Sequence, residues 1–167
     1  MTLPTLKKTY YLGLIAILLA LAYVYYLQIY DDLVPCPLCL LQRVALMLVA
    51  ICFLIGTMAP TKSALQYLIS PLALFFASCG WAIAARQVWL QYAPNAQVGD
   101  CSVSLDYMIQ TFPFKEVLRK LFQSNADCAK VDWNLLGLSL AGWSLAFLSV
   151  LILLSLLACY RSYSKGR

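Results

Sequence analysis

From Thr9 to Tyr30 the chain carries no charged side chain, and the same holds from Leu65 to Ala85 and from Leu135 to Tyr160. A fourth stretch, Leu38 to Met58, contains Arg43 as its single charge. About 20 helical residues, at about 1.5 Å each, cross a hydrocarbon core about 30 Å thick, so every one of these stretches is long enough to span a bilayer. Charged residues make up 11% of the chain and hydrophobic ones 63%, where a soluble domain carries roughly 25% charged. Such a chain cannot cover a globule with polar surface. The expected fold is therefore an all-α integral membrane protein, a four-transmembrane-helix bundle forming a single membrane domain over residues 1–167. Its spans are expected at about 10–30, 38–58, 65–86 and 135–160.

One competing reading concerns the first stretch. Lys7 and Lys8, an apolar core and Ala20-Leu21-Ala22 resemble the parts of a signal peptide. The apolar run, however, continues through Tyr23 to Tyr30, well past the usual h-region of about 7–15 residues. Tyr23, Tyr25, Tyr26 and Tyr30 instead suit an aromatic belt at a membrane interface.

The net charge of +5 is explained by its distribution and calls for no nucleic-acid partner. All seven acidic residues (Asp31, Asp32, Asp100, Asp106, Glu116, Asp127 and Asp132) fall in two predicted loops, about 31–37 and 87–134. Lys7, Lys8, Lys62, Arg161, Lys165 and Arg167 fall on the other side. By the positive-inside bias this predicts both termini in the cytoplasm and both acidic loops outside. The longer loop contains an amphipathic pattern after Pro113: Phe114, Val117, Leu118, Leu121 and Phe122 recur at helical spacing, with Lys115, Glu116, Arg119 and Lys120 between them. Beside a membrane, that pattern predicts a short helix lying in the interface.

Histidine is absent, which removes imidazole acid–base catalysis and imidazole metal ligation. The chemistry must lean on the seven cysteines, the arginines and a few carboxylates. Cys52, Cys79 and Cys159 sit within or at the inner end of spans, where cysteine behaves as a small apolar residue, and no function is assigned to them. Cys36, Cys39, Cys101 and Cys128 all lie on the acidic side. Four cysteines allow three pairings; Cys36–Cys39 with Cys101–Cys128 is the natural set, since residues three apart are pre-positioned to pair.

Three readings compete for these cysteines. A zinc site is disfavoured, because Cys101 and Cys128 lack C-x-x-C spacing and no histidine can assist; no metal is expected. Structural disulfides would explain Cys101–Cys128 as a staple on a long loop, but a ring as small as Cys36–Cys39 removes almost no chain entropy. A redox relay, in which both pairs cycle, explains both. Pro37 suits a first helical position and puts Cys36 about at the N-cap, where the helix dipole favours a thiolate. Cys36, Cys39 and Arg43 then stand at i, i+3 and i+7 on one face. A solvated, snorkelling arginine is the ordinary reading of Arg43 alone; beside C-x-x-C it becomes a candidate to stabilise a thiolate or a bound anion. With no flavin, nicotinamide or haem motif present, a lipid-soluble quinone entering from the bilayer is the acceptor that fits the location.

These residues resemble the disulfide bond formation protein B family, the inner-membrane quinone-linked thiol oxidases. The likeness covers nearly the whole chain. It includes Pro35-Cys36-Pro37-Leu38-Cys39-Leu40-Leu41-Gln42-Arg43, Asp100-Cys101, Asp127-Cys128-Ala129 and Trp133-Asn134-Leu135-Leu136-Gly137-Leu138. The resemblance implies that Cys101–Cys128 accepts electrons from a reduced DsbA-like periplasmic thiol oxidase, with Cys101 forming the mixed disulfide. Electrons would pass to Cys36–Cys39 by way of a transient Cys36–Cys128 bond, and then to ubiquinone, or menaquinone as the alternative. Cys39 would contact the quinone and Arg43 would hold it. Gln42 is a departure, where a family member can carry an acidic residue. The expected enzyme is a protein-disulfide-generating oxidoreductase of the bacterial inner membrane, with its redox cysteines on the periplasmic side. A tetraspan scaffold merely stapled by disulfides is the alternative from another class. A vitamin K epoxide reductase type of enzyme is disfavoured by the position of C-x-x-C at the start of the second span.

Overall fold

The computed structural model describes residues 6–30, 37–60, 64–92, 134–135 and 137–164. Among them, four helices are long and apolar enough to cross a membrane: α1 (Leu6–Tyr30), α2 (Pro37–Met58), α3 (Ala64–Tyr92) and α4 (Leu140–Ser164). The chain is a four-helix membrane protein, as its apolar stretches predict. The expected interfacial helix at 114–122 and the loop segments 31–36 and 93–133 lie outside the described residues.

Two helix ends differ from the simple spans. α3 has 29 residues, about 43 Å at the ordinary helical rise, and continues through Gln87, Trp89 and Gln91 to Tyr92. Those side chains are polar or interfacial and read from sequence as the beginning of the loop. α4 starts at Leu140 because the described residues just before it are used in a hairpin. Asn134–Leu135 (β1) pairs antiparallel with Leu138–Ser139 (β2), and Gly137 takes φ of +79° between them. That left-handed conformation suits glycine. Ser139 then caps α4, accepting the Gly142 N–H at 3.2 Å, and donates to Gln91 Oε1 at 2.7 Å. The hairpin is thereby tied to the last turn of α3.

α3 packs most extensively, against α2 on one side and α4 on the other; α1 lies against α2 and meets α4 less closely. In α3, Ala73, Ala77, Gly80 and Ala84 recur at helical spacing and are buried. A Cβ at Gly80 would stand 3.1 Å from both Ala45 of α2 and Leu148 of α4. Small residues here bring three helices close, the main source of attraction where lipid removes the hydrophobic difference. Between α1 and α2, glycines and rings interlock: Tyr10 covers Gly56, Phe53 covers Gly13, and the two rings tilt together at 5.5 Å.

Outward faces are apolar all round, with Leu19, Ile29, Leu68, Phe75, Trp89 and Leu153 well exposed. That surface suits lipid and not water. Several polar side chains find partners across helices, although the buried hydroxyls of Ser155 and Ser162 meet none among the described residues. Tyr10 meets Ser70 at 2.8 Å, Gln66 donates to the Gly56 carbonyl at 2.9 Å, and Trp81 donates to Ser149 at 3.0 Å. Arg161 near the end of α4 donates to Thr9 near the start of α1 at 3.3 Å. Both helix termini therefore lie at one end of the bundle, opposite the end at which α2 begins.

Candidate functional site

The first two turns of α2 leave Pro37 and carry Cys39, Gln42 and Arg43 at successive helical positions. Proline loses nothing at a helix start, where its missing N–H would have no partner in any case. Each of the three polar side chains must then find company, because the bilayer offers none.

Cys39 is half-buried and turns toward α3. Gln87 Nε2 donates to Cys39 Sγ at 3.2 Å, and Gln87 Oε1 lies 3.6 Å from the same sulfur. Gln42, 5% exposed, donates from Nε2 to Gln87 Oε1 at 2.7 Å. Ser144 of α4 reaches Gln42 Oε1 at 2.8 Å. A continuous polar chain thus runs from α4 through α2 and α3 to the sulfur of Cys39. Inside an apolar bundle such a chain is strengthened by its low-dielectric surroundings and rigidifies what it holds.

Arg43 turns toward α1. Its Nη1 donates to Gln28 Oε1 at 2.6 Å, and its guanidinium lies over the Tyr25 ring, 5.1 Å from the centroid. The aromatic face favours the cation. Arg43 Nε is buried and meets no hydrogen-bond partner among the described residues. A charged donor group held in place with its buried Nε–H unspent among the described residues is suited to receive an oxygen ligand.

Of the sequence-predicted site residues, Cys39 and Arg43 come together on one turn of α2, four residues apart. Cys36, Cys101 and Cys128 lie outside the described residues. Cys52, Cys79 and Cys159 pair with no other cysteine among the described residues. Sequence reasoning missed Gln87, Ser144, Gln28 and Tyr25, and gave Gln42 little weight. The available signal was polar side chains, Gln28, Gln42 and Ser144, inside uncharged apolar runs.

Fold and site together define a multi-pass helical membrane protein with a cysteine held by a side-chain amide near the start of one spanning helix. The family described as "Disulfide bond formation protein DsbB" matches residues 7–158. Curated relatives named Disulfide bond formation protein B agree. That of Hahella chejuensis is 39% identical over 141 residues, covering 84% of this chain and 86% of its own. That of Psychrobacter cryohalolentis is 41% identical over 139 residues, covering 82% and 78%. That of an Azoarcus strain is 37% identical over 155 residues, covering 92% and 93%. The chain belongs to the DsbB family of disulfide bond formation proteins, and its activity is that of a disulfide-forming oxidoreductase.

Proposed function

We propose that this chain is a quinone-dependent dithiol oxidase of the bacterial inner membrane that reoxidises a DsbA-like periplasmic partner. The supporting observation is the pairing on one helical turn of Cys39, with an amide donor on its sulfur, and Arg43, with a buried donor unspent among the described residues. Orientation follows from charge. Lys7 and Arg161 lie toward the end of the bundle opposite the start of α2, which supports a periplasmic position for Cys39.

In this reading a thiolate of the partner attacks Cys101 of the Cys101–Cys128 disulfide, forming a mixed disulfide and releasing Cys128. The partner's second thiol displaces Cys101, so the partner leaves oxidised and both loop cysteines are reduced. Cys128 then attacks Cys36, breaking the Cys36–Cys39 bond and releasing Cys39 as a thiolate. Cys101 attacks Cys128, which restores the loop disulfide and leaves Cys36 and Cys39 reduced by two electrons. A relay of this kind cannot use disulfides of the structural class, whose potentials lie below about −300 mV.

The residues present fit a quinone. Arg43 would offer its Nε–H, unpartnered among the described residues, to a quinone carbonyl oxygen, while Gln28 and Tyr25 fix the guanidinium beforehand. A bound quinone, ubiquinone or menaquinone, supplies an acceptor for two electrons and two protons. Gln87 keeps the Cys39 sulfur oriented within the bundle. The test is oxidation by membranes carrying this chain. Given the reduced partner, they reduce added quinone, and Cys36→Ser or Cys101→Ser stops turnover. Full activity in either variant would overturn the reading.

A further inference from the structure

The polar chain behind Cys39 is directional. An amide oxygen only accepts and an amide nitrogen only donates, so each link fixes the next. Ser144 donates to Gln42 Oε1 at 2.8 Å, Gln42 Nε2 donates to Gln87 Oε1 at 2.7 Å, and Gln87 Nε2 is left to donate to Cys39 Sγ at 3.2 Å. Every amide proton in the chain points toward the sulfur, the setting that suits a thiolate, while Gln87 Oε1 stands farther off at 3.6 Å as the acceptor an S–H could use.

The same atoms allow the opposite setting. Ser144 Oγ also lies 3.0 Å from the Ala141 carbonyl, and a hydroxyl has a single proton. With that proton given to Ala141, the Ser144 oxygen becomes an acceptor. Gln42 can then turn its amide to donate to Ser144, and Gln87 can turn to donate to Gln42. Gln87 would bring its oxygen nearer to Cys39 than the present 3.6 Å, which suits an S–H donor. Both glutamines are 5% exposed, so water cannot cheaply replace a broken link and the two amides turn together.

We infer that Gln87 is a positioning residue for Cys39, and that Gln42 and Ser144 set which end of its amide faces the sulfur. The chain is a two-state element whose direction follows the charge on Cys39. It holds the thiolate when the electron pair arrives on that sulfur and relaxes when a proton does. This deepens the oxidase reading and rests on it only for the consequence to turnover.

The test is alkylation of Cys39 against pH, followed by peptide mass spectrometry. It uses reduced, full-length Cys36→Ser protein, with no quinone turnover involved. Hydrogen bonds to charged groups are strong enough that Gln87→Leu is expected to slow Cys39 alkylation about tenfold near neutral pH and to shift the profile upward by about one unit. Gln42→Glu is the sharper variant. Its carboxylate only accepts, so it draws Gln87 Nε2 away and turns the amide oxygen to Cys39. That shift is expected to equal or exceed that of Gln87→Leu, while Gln42→Leu, which imposes no direction, shifts the profile less. Ser144→Ala, a loss of one hydroxyl, moves the profile the same way by a smaller amount and keeps the test available if a glutamine variant fails to fold. Profiles of Ser144→Ala and of the folded glutamine variants that coincide with the parent overturn the inference. Equal shifts in Gln42→Glu and Gln42→Leu also overturn it, because they would reduce Gln42 to a packing role. Shifted profiles in a protein that never reduces quinone would count against the oxidase reading alone.

Discussion

Gln87 on α3 holds its amide nitrogen 3.2 Å from the sulfur of Cys39 on α2. Four residues further along α2, Arg43 donates its hydrogen bond to the opposite neighbour, Gln28 of α1. The opening turns of α2 therefore serve two polar assemblies. An amide chain braced by α3 and α4 holds the thiol, and a cation is braced by α1. Separate support of this kind lets one group be perturbed without the other.

Removal of the cation is the first consequence to test. Arg43→Ala loses a charge-assisted donor to a quinone oxygen, an interaction of about 1.5–3 kcal/mol, so the apparent KM for quinone should rise about tenfold or more. Alkylation of Cys39 should change little. Steady-state quinone reduction at varied quinone concentration measures this, and an unchanged KM refutes the role.

Gln28→Leu should give a weaker version of the same phenotype. It leaves the charge but removes the 2.6 Å anchor, worth about 1 kcal/mol, so a KM increase of about fivefold is expected with kcat nearly unaltered. A larger loss in kcat than in KM would mean that Gln28 does something other than hold Arg43.

How much of this was legible beforehand differs between fold and site. Lack of charge from Thr9 to Tyr30 and from Leu135 to Tyr160 dictates spanning helices almost irrespective of packing. The start of α4 was hidden because Leu135 to Leu138 is as apolar as any helix, and only the positive φ of Gly137 betrays the hairpin. Cys39 and Arg43 were visible through local spacing. Gln87 and Ser144 were not. Gln42 pairs with partners 45 and 102 residues away, and periodicity within one helix cannot say which neighbour a polar side chain will face.

Packing at the α1–α2 seam gives a prediction independent of function. Gly13→Leu would drive a side chain into Phe53, and overpacking costs about 1–3 kcal/mol. The thermal midpoint in detergent should fall, while the pH profile of Cys39 alkylation stays where it was. An unchanged midpoint would mean that the Phe53 ring has another place to go.

Gly137→Val tests the hairpin that sets the start of α4. A β-branched residue at φ of +79° costs about 1–2 kcal/mol. Because Ser139 links the hairpin to Gln91, faster proteolysis near residue 137 is expected. Gly137→Asn, which tolerates that backbone better, should behave closer to the parent.

The central claim is that the cysteine pairs pass electrons to a membrane quinone, and thiol trapping reads this directly. Cells or membranes supplied with reduced DsbA-like partner are quenched with an alkylating agent, with quinone present or depleted. The relay predicts Cys36, Cys39, Cys101 and Cys128 oxidised when quinone is available and accumulating as thiols when it is removed. All four remaining oxidised in both conditions would contradict it, and would leave a disulfide-stapled membrane scaffold in its place.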